Sequence, residues 1–245
     1  MNKNFLKGCV KRPGIKDIWN AYLLEGAKWT ENENPIVKTT ATSPPTNAIS
    51  YRAAKNINKL MHKNEPNYKI DAFIHFYIDD DQFDCKTKGL WAKPEDFFKI
   101  ASHFAGVIGP DFSTYADFPK PLFDFQVYKM RTFEYACSKR NIPVIVNARW
   151  GSAKTWKHTI DELPQNSMLS IGTVGSRLKY LKNQYCFEAG FKYLVETKKP
   201  HTLIVVGSAN YPCFKQARKK GVRIIQFDGD TAQYFKNKQA GENNE

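Results

Sequence analysis

From residue 70 onward, short apolar runs alternate with stretches whose apolar residues recur every three or four positions. This alternation predicts βαβ units and a mainly parallel sheet. Six runs read as strands: residues 72–78 (AFIHFYI), 106–110 (GVIGP), 142–146 (IPVIV), 168–171 (MLSI), 201–206 (HTLIVV) and 222–227 (VRIIQF). The run IPVIV is continuous and rich in β-branched residues, as expected of a strand buried on both faces. Between the runs lie helical patterns over 94–104, 122–140, 153–163, 184–197 and 213–220. Pro94 suits a first helical turn. In the longest pattern, Leu122, Phe125, Lys129, Phe133 and Cys137 mark a largely apolar stripe, and Asn141 closes the helix. In the 184–197 pattern the inner face reads Cys186, Phe187, Gly190, Phe191 and Leu194, with Gly190 permitting close approach to the sheet. Gly221 ends the last helix.

Residues 1–69 are less regular, with one helix expected over 51–62 and a further strand over 36–42 (IVKTTAT). Three parts follow: an irregular N-terminal segment (1–69) packing on the core, an α/β core domain (70–235) and a loose polar tail (236–245). The fold class is therefore α/β, a mainly parallel sheet of about six to eight strands with flanking helices. Right-handed crossovers allow either an open doubly wound sheet or a TIM-barrel-like closure. The extra N-terminal strand brings the count nearer to a barrel, so barrel-like closure is favoured.

The 245 residues suit one large domain. With 42% hydrophobic and 14% aromatic residues the chain is not of the disordered class. No apolar run approaches the roughly 18 residues of a membrane span, and residues 1–7 lack the apolar stretch of a secretory signal. The expectation is a cytoplasmic protein with no membrane partner. The net charge is +13, concentrated in residues 120–220, which carry 18 basic and 6 acidic groups; residues 71–119 carry 4 and 9. Such an excess favours phosphate-rich polymers or anionic ligands, although the basic residues are scattered along the surface. Five cysteines without close spacing argue against a disulfide framework and suggest reduced, mostly buried thiols.

In parallel α/β folds, ligands bind where the strands end. The successive strand ends carry Asp79, Asp80, Asp81 and Asp84; Asp111 and Ser113; Asn147, Arg149 and Trp150; Gly172, Thr173, Gly175 and Ser176; Gly207 and Ser208; and Asp228 and Asp230. Asp, Asn, Gly and Ser are common in any turn, but Arg149 and Trp150 are not turn formers. An arginine directly after a buried strand is placed to grip an anion with both arms of its fork. Asp79, Asp111 and Asp228 are candidate ligands for a hard cation such as Mg²⁺, and Asp79, Asp81, Asp111 and Arg149 are the candidate catalytic groups. Four carboxylates within six residues would repel one another unless a cation or a basic side chain compensates. The five histidines are spread singly, without zinc spacing, and His75 alternates with core residues. The glycines of Gly172-Thr-Val-Gly-Ser176 would let backbone amides face a phosphate, but the segment lacks a nucleotide-triphosphate loop's ending. Nucleophile-elbow and dinucleotide fingerprints are also missing from the sequence.

Several strings together carry a resemblance: Thr39-Thr-Ala-Thr-Ser-Pro-Pro-Thr46, the acidic segment after FIHFYI, Gly-Pro-Asp-Phe-Ser113, Asn-Ala-Arg-Trp-Gly151 and Ile-Gly-Thr-Val-Gly175. They resemble, in the same order over about residues 20–235, an uncharacterised family of bacterial and bacteriophage proteins, the domain of unknown function 4417. The resemblance implies a mobile-element setting and no particular activity. Its members often have a glycine–cysteine pair after the Gly-Thr-x-Gly turn, where this chain has Ser176-Arg177, so no role of that cysteine carries over. Two functional classes stay open. One is a phage-type protein associated with DNA, RNA or another phosphate-bearing ligand, extending to a metal-dependent phosphodiester enzyme. The other is a non-catalytic protein that binds a small ligand or a host protein.

Overall fold

The computed structural model describes residues 17–115 and 117–242. The stretch 1–7, Cys9 and the last three residues lie outside them. Seven parallel strands form one curled sheet in simple sequence order: β1 (Ala48–Ser50), β2 (Ile70–His75), β3 (Phe104–Ile108), β4 (Val144–Asn147), β5 (Met168–Gly172), β6 (Thr202–Val206) and β7 (Arg223–Phe227). The helices are α1 (Tyr51–Met61), α2 (Pro94–Ala101), α3 (Lys120–Lys139), α4 (Trp156–Thr159), α5 (Leu181–Lys198), α6 (Pro212–Lys219) and α7 (Asp230–Glu242). The six strands expected from the sequence are all present.

The curl gives the sheet an inside and an outside, and side chains alternate between them. Phe73, Tyr77, Ile108, Ile145, Met168, Ile204 and Val206 fill the concave side. On the convex side, Ile74, Val107 and Val144 pack with α1, α2 and α3, while Val146, Leu169, Ile171, Leu203 and Val205 pack with α5 and α6. Strands β4, β5 and β6 are buried along their whole length, as two-sided coverage requires. The half-barrel stays open because β1 and β7 do not pair. At that gap Asp230, the first residue of α7, accepts hydrogen bonds of 2.8 Å from Ser50 Oγ and from Arg52 Nη2. Ser50 Oγ also accepts from Ala53 N and so caps α1.

Four expectations change. The additional strand is Ala48–Ser50, not 36–42. The 36–42 stretch instead crosses the start of β4 and β5, where Thr40 N donates to Val144 O and Thr39 Oγ1 accepts from Val146 N and donates to Met168 O. Threonine hydroxyls here complete backbone bonding that a strand ladder would otherwise supply. Second, residues 236–242 continue α7, because the helix is anchored at Asp230, where the sequence pattern suggested a loose tail. Third, α3 buries Phe123, Val127, Met130, Phe133 and Cys137 together with Arg131 and Glu134, while Leu122 and Phe125 are exposed. Lys129, Phe133 and Cys137 of the expected stripe are buried, and only its first two members, Leu122 and Phe125, turn outward. Fourth, Cys137 and Cys213 are buried, but Cys85 and Cys186 are exposed. No helix among the described residues is long and apolar enough to cross a membrane.

His75 sits on the concave side with no exposure. Its Nδ1 accepts from Tyr77 N at 3.3 Å, and Nε2 has no partner among the described residues. Burial pushes its pKa down from 6.5 to about 4, against the smaller opposing pull of Asp230. The folded state therefore favours neutral imidazole. The stability tied to it is complete above pH 6.5 and is lost as the pH falls from 6.5 towards 4. The loss should reach about 3 kcal/mol, from roughly 1.4 kcal/mol per pKa unit. Denaturant titrations between pH 7 and 4 should show this decline in the wild type and a flatter profile in His75→Gln; equal profiles would mean His75 is not the group responsible.

Candidate functional site

The C-terminal strand ends surround a cleft of about 470 Å³, lined by Arg52, Tyr77, Asp79, Asp80, Asp111, Ser113, Tyr115, Arg149, Gly175 and Asp230 among others. Its floor is built from Tyr77, two residues beyond β2, and Asn147, the last residue of β4. Tyr77 OH donates to Asn147 Oδ1 at 3.0 Å, and Asn147 Nδ2 donates to Asp111 Oδ1 and to Pro110 O, each at 3.0 Å. Gly172 makes room for the phenol: a Cβ there would lie 2.2 Å from Tyr77 Cδ1. Burial raises the Tyr77 pKa well above its ordinary value, and the charge of Asp111 adds to that, so the phenol stays protonated.

The backbone of Asn147 is tied down from the other side. Glu134 Oε1 accepts from Asn147 N at 2.7 Å, and Arg131 Nη1 donates to Asn147 O at 3.0 Å and to Glu134 Oε2 at 2.7 Å. A Cβ on Gly109 would fall 2.1 Å from Glu134 Oε1, so only glycine leaves space for that carboxylate. Burial raises the Glu134 pKa, opposed by Arg131 and by the Asn147 amide.

Arg149 reaches into the cleft with a side chain 21% exposed. Its Nη1 pairs with Asp111 Oδ2 at 3.3 Å and its Nε donates to Thr114 Oγ1 at 3.3 Å. Nη2 has no protein acceptor among the described residues. Burial raises the Asp111 pKa, with Arg149 and Asn147 working against it and Asp80 reinforcing it. Asp111 is thus a clamp for the arginine and the asparagine.

The remaining candidates separate. Asp79 lines the cleft and accepts a long 3.4 Å bond from Gln82 Nε2. Asp80 holds Ser113 through its N–H and its hydroxyl, at 3.0 and 2.8 Å. Asp84 takes Lys129 Nζ at 2.8 Å and Trp91 N at 3.0 Å. The crowding of acidic residues is relieved in this way by lysine and serine. Asp81 is exposed and outside the lining. Asp228 pairs with Lys236 and also lies outside it, whereas Asp230 lies inside. The set Asp79, Asp111 and Asp228 is therefore not brought together. Among the described residues no group of three His, Cys, Asp or Glu side chains is placed to hold a metal ion. Trp150 turns away and packs on α5, its ring 5.2 Å from that of Phe187 and pressed against Gly190, where a Cβ would come within 2.3 Å. Thr173 Oγ1 donates to Ser208 O at 3.0 Å beside Gly207, which braces the Val174–Gly175 wall. Ser176 Oγ turns back towards Gly172 O at 3.4 Å.

Sequence reading did not single out Tyr77, Arg52, Arg131 or Glu134. Tyr77 hid inside an apolar run, and Arg131 and Glu134 looked like solvated helix positions. Only the i, i+3 spacing of opposite charges on one helix could have flagged that last pair.

Asn147 therefore carries more stability than the groups it touches. Asn147→Leu should cost about 3 kcal/mol, because it strands a buried carboxylate, a carbonyl and a phenol, while Tyr77→Phe should cost about 1 kcal/mol. Urea unfolding of both variants checks this, and equal losses would remove Asn147 from its central place.

The Gene 1 protein of Mycobacterium phage D29 is 27% identical over 138 residues, 56% of this chain and 49% of that protein. The Gene 1 protein of Mycobacterium phage L5 is 26% identical over 161 residues, 61% of this chain and 68% of that protein. The match thus spans about half the length of the D29 relative. No solved structure gives a significant match. Residues 33–228 match the family described as Domain of unknown function (DUF4417), and the chain belongs to that family.

Proposed function

We propose that the cleft binds a phosphate-bearing ligand of nucleotide or nucleic-acid type, in a cytoplasmic protein. The observation that carries this reading is Arg149, whose guanidinium is oriented by Asp111 and Thr114 while Nη2 is left for an incoming acceptor. A fork held in this way suits phosphate geometry and loses little freedom on binding. Arg52 lines the same cleft with its side chain 54% exposed and paired with Asp230, so a second guanidinium stands within reach of a ligand. Tyr115 and Phe118, edge to face with centroids 5.1 Å apart, supply an aromatic wall for a planar ring. The cleft volume falls within the roughly 300–1,000 Å³ of small-ligand sites.

Mg²⁺ enters this reading as a companion of the ligand. It is commonly held by one or two carboxylates together with substrate phosphates, and Asp79 and Asp230 line the cleft beside the place for such phosphates. Phosphodiester hydrolysis is the catalytic form of the proposal. A non-catalytic form, binding a small ligand or a host protein, is favoured by the commitment of Asp111 to Arg149 and Asn147, which leaves it poorly placed as a free base.

Calorimetric titration with inorganic phosphate and with a nucleoside triphosphate plus Mg²⁺ tests the reading. Arg149→Lys keeps the charge but loses the fork, and should weaken binding about tenfold, equivalent to 1.4 kcal/mol, with a melting temperature within about 2 °C of the wild type. A variant that binds as tightly as the wild type would overturn it. With Mg²⁺ present, cleavage of an oligonucleotide would identify the hydrolytic form, and binding without cleavage the non-catalytic one.

A further inference from the structure

The wall of the cleft formed by Val174 and Gly175 runs directly into the corner between β5 and α5, and this corner differs from the rest of the surface. No acidic residue occurs between Glu162 and Glu188, while Arg177, Lys179 and Lys182 all lie there and are exposed. Interleaved with them are large apolar and aromatic groups open to solvent: Tyr180 is 54% exposed, Leu181 67% and Tyr185 68%. Leu181 and Tyr185 are one helical turn apart, roughly 6 Å along the axis, and so share a stripe. Lys179 Nζ lies 5.2 Å from the centre of the Tyr180 ring.

The corner is also held in shape. Arg177 has φ +48°, a left-handed conformation that is uncommon for arginine. The turn is closed by Tyr180 N donating to Arg177 O at 3.1 Å, and by Asn183 Nδ2 reaching the carbonyls of Ser176 and Arg177. Arg177 is exposed, two residues beyond Gly175 of the cleft wall, and makes no ion pair among the described residues.

Alternating cations and exposed rings on a fixed scaffold match one chemistry. Cations track a phosphate backbone, and aromatic faces stack on bases that are free of a duplex. We propose that the corner from Val174 to Tyr185 is a track for single-stranded nucleic acid leading out of the cleft, with Arg177, Lys179 and Lys182 on phosphates and Tyr180 and Tyr185 stacking on bases. The proposal rests on the phosphate reading of the cleft for the point where the strand enters, and the track itself stands on separate residues. A duplex would meet the same charges, but its bases are already stacked and unavailable to the tyrosines.

Fluorescence anisotropy with a labelled single strand of about 12 nucleotides, and with its duplex, tests this. Single strand should bind more tightly than duplex, and log affinity should fall linearly with log salt. Tyr180→Ala with Tyr185→Ala should weaken single-strand binding about tenfold or more with the salt slope unchanged. Lys179→Gln with Lys182→Gln should lower the slope by about 1.4, from roughly 0.7 per phosphate contact. All four positions are exposed, so the variants should fold as the wild type does, and phosphate titration of the cleft should be unaltered in them. Equal binding of duplex and single strand, or tyrosine variants that bind as the wild type does, would overturn the track. A wild-type protein that takes phosphate in the cleft but no oligonucleotide would overturn the track and leave the cleft reading standing. Oligonucleotide binding lost in the tyrosine variants, in a protein that does not bind phosphate, would support the track and remove the cleft reading.

Discussion

Arg131 and Glu134 face the sheet from α3 with 1% and no side-chain exposure, and the shape of the cleft follows from how those charges are satisfied. A buried ion pair brings little net stability by itself, since desolvation consumes most of the attraction. Here the pair does something a hydrophobic pair could not. Strand β3 pairs with β4 only at Val107 and Ile108, and beyond that point the edge of β4 would lose its partner. Glu134 and Arg131 take over, bonding the amide and carbonyl of Asn147 as a neighbouring strand would. The chain after β3 is thereby free to leave the sheet at Gly109, and the cleft opens where it departs.

That departure brings Asp111 back over the end of β4, against the Asn147 side chain, and Asp111 in turn holds Arg149. One side of Asn147 therefore reads the helix layer and the other reads the cleft. Each contact uses a different group of the same residue, which makes the arrangement cooperative in the sense that no bond can shift without exposing a buried polar group. The tyrosine below completes the floor. Around this fixed centre, the outer parts of the cleft are lightly held: Asp79 has one long hydrogen bond, and Arg52 is half exposed although it reaches Asp230.

The acidic segment shows how the same residue type takes several parts. Asp84 anchors Lys129, Asp80 fixes the Ser113 loop, and Asp79 faces the cleft. Their spacing of one and four residues along an irregular turn sends them in different directions, so their number in the sequence overstates the negative charge at any one place. Trp150 and Arg149 diverge for a comparable reason. Adjacent residues leaving a strand point to opposite sides, and one joins the cleft while the other is absorbed by α5.

Local pattern along the chain was enough to read the parallel α/β class, the six strands of the core and the end of the sheet at which Asp79, Asp111, Ser113 and Arg149 gather. These follow from local periodicity and from a topological rule, both of which act over short stretches of chain. The strand at 48–50 was hidden because three residues are too few to show a period, and α7 because its anchor, Asp230 on Ser50 and Arg52, spans some 180 residues of sequence. The inward turn of Arg131 and Glu134 was equally out of reach, since nothing local distinguishes a buried pair from a solvated one. Which aspartates meet, which way Trp150 turns and whether β1 pairs with β7 were decided by tertiary packing, because each depends on groups that only the curvature of the open sheet brings within a few ångströms.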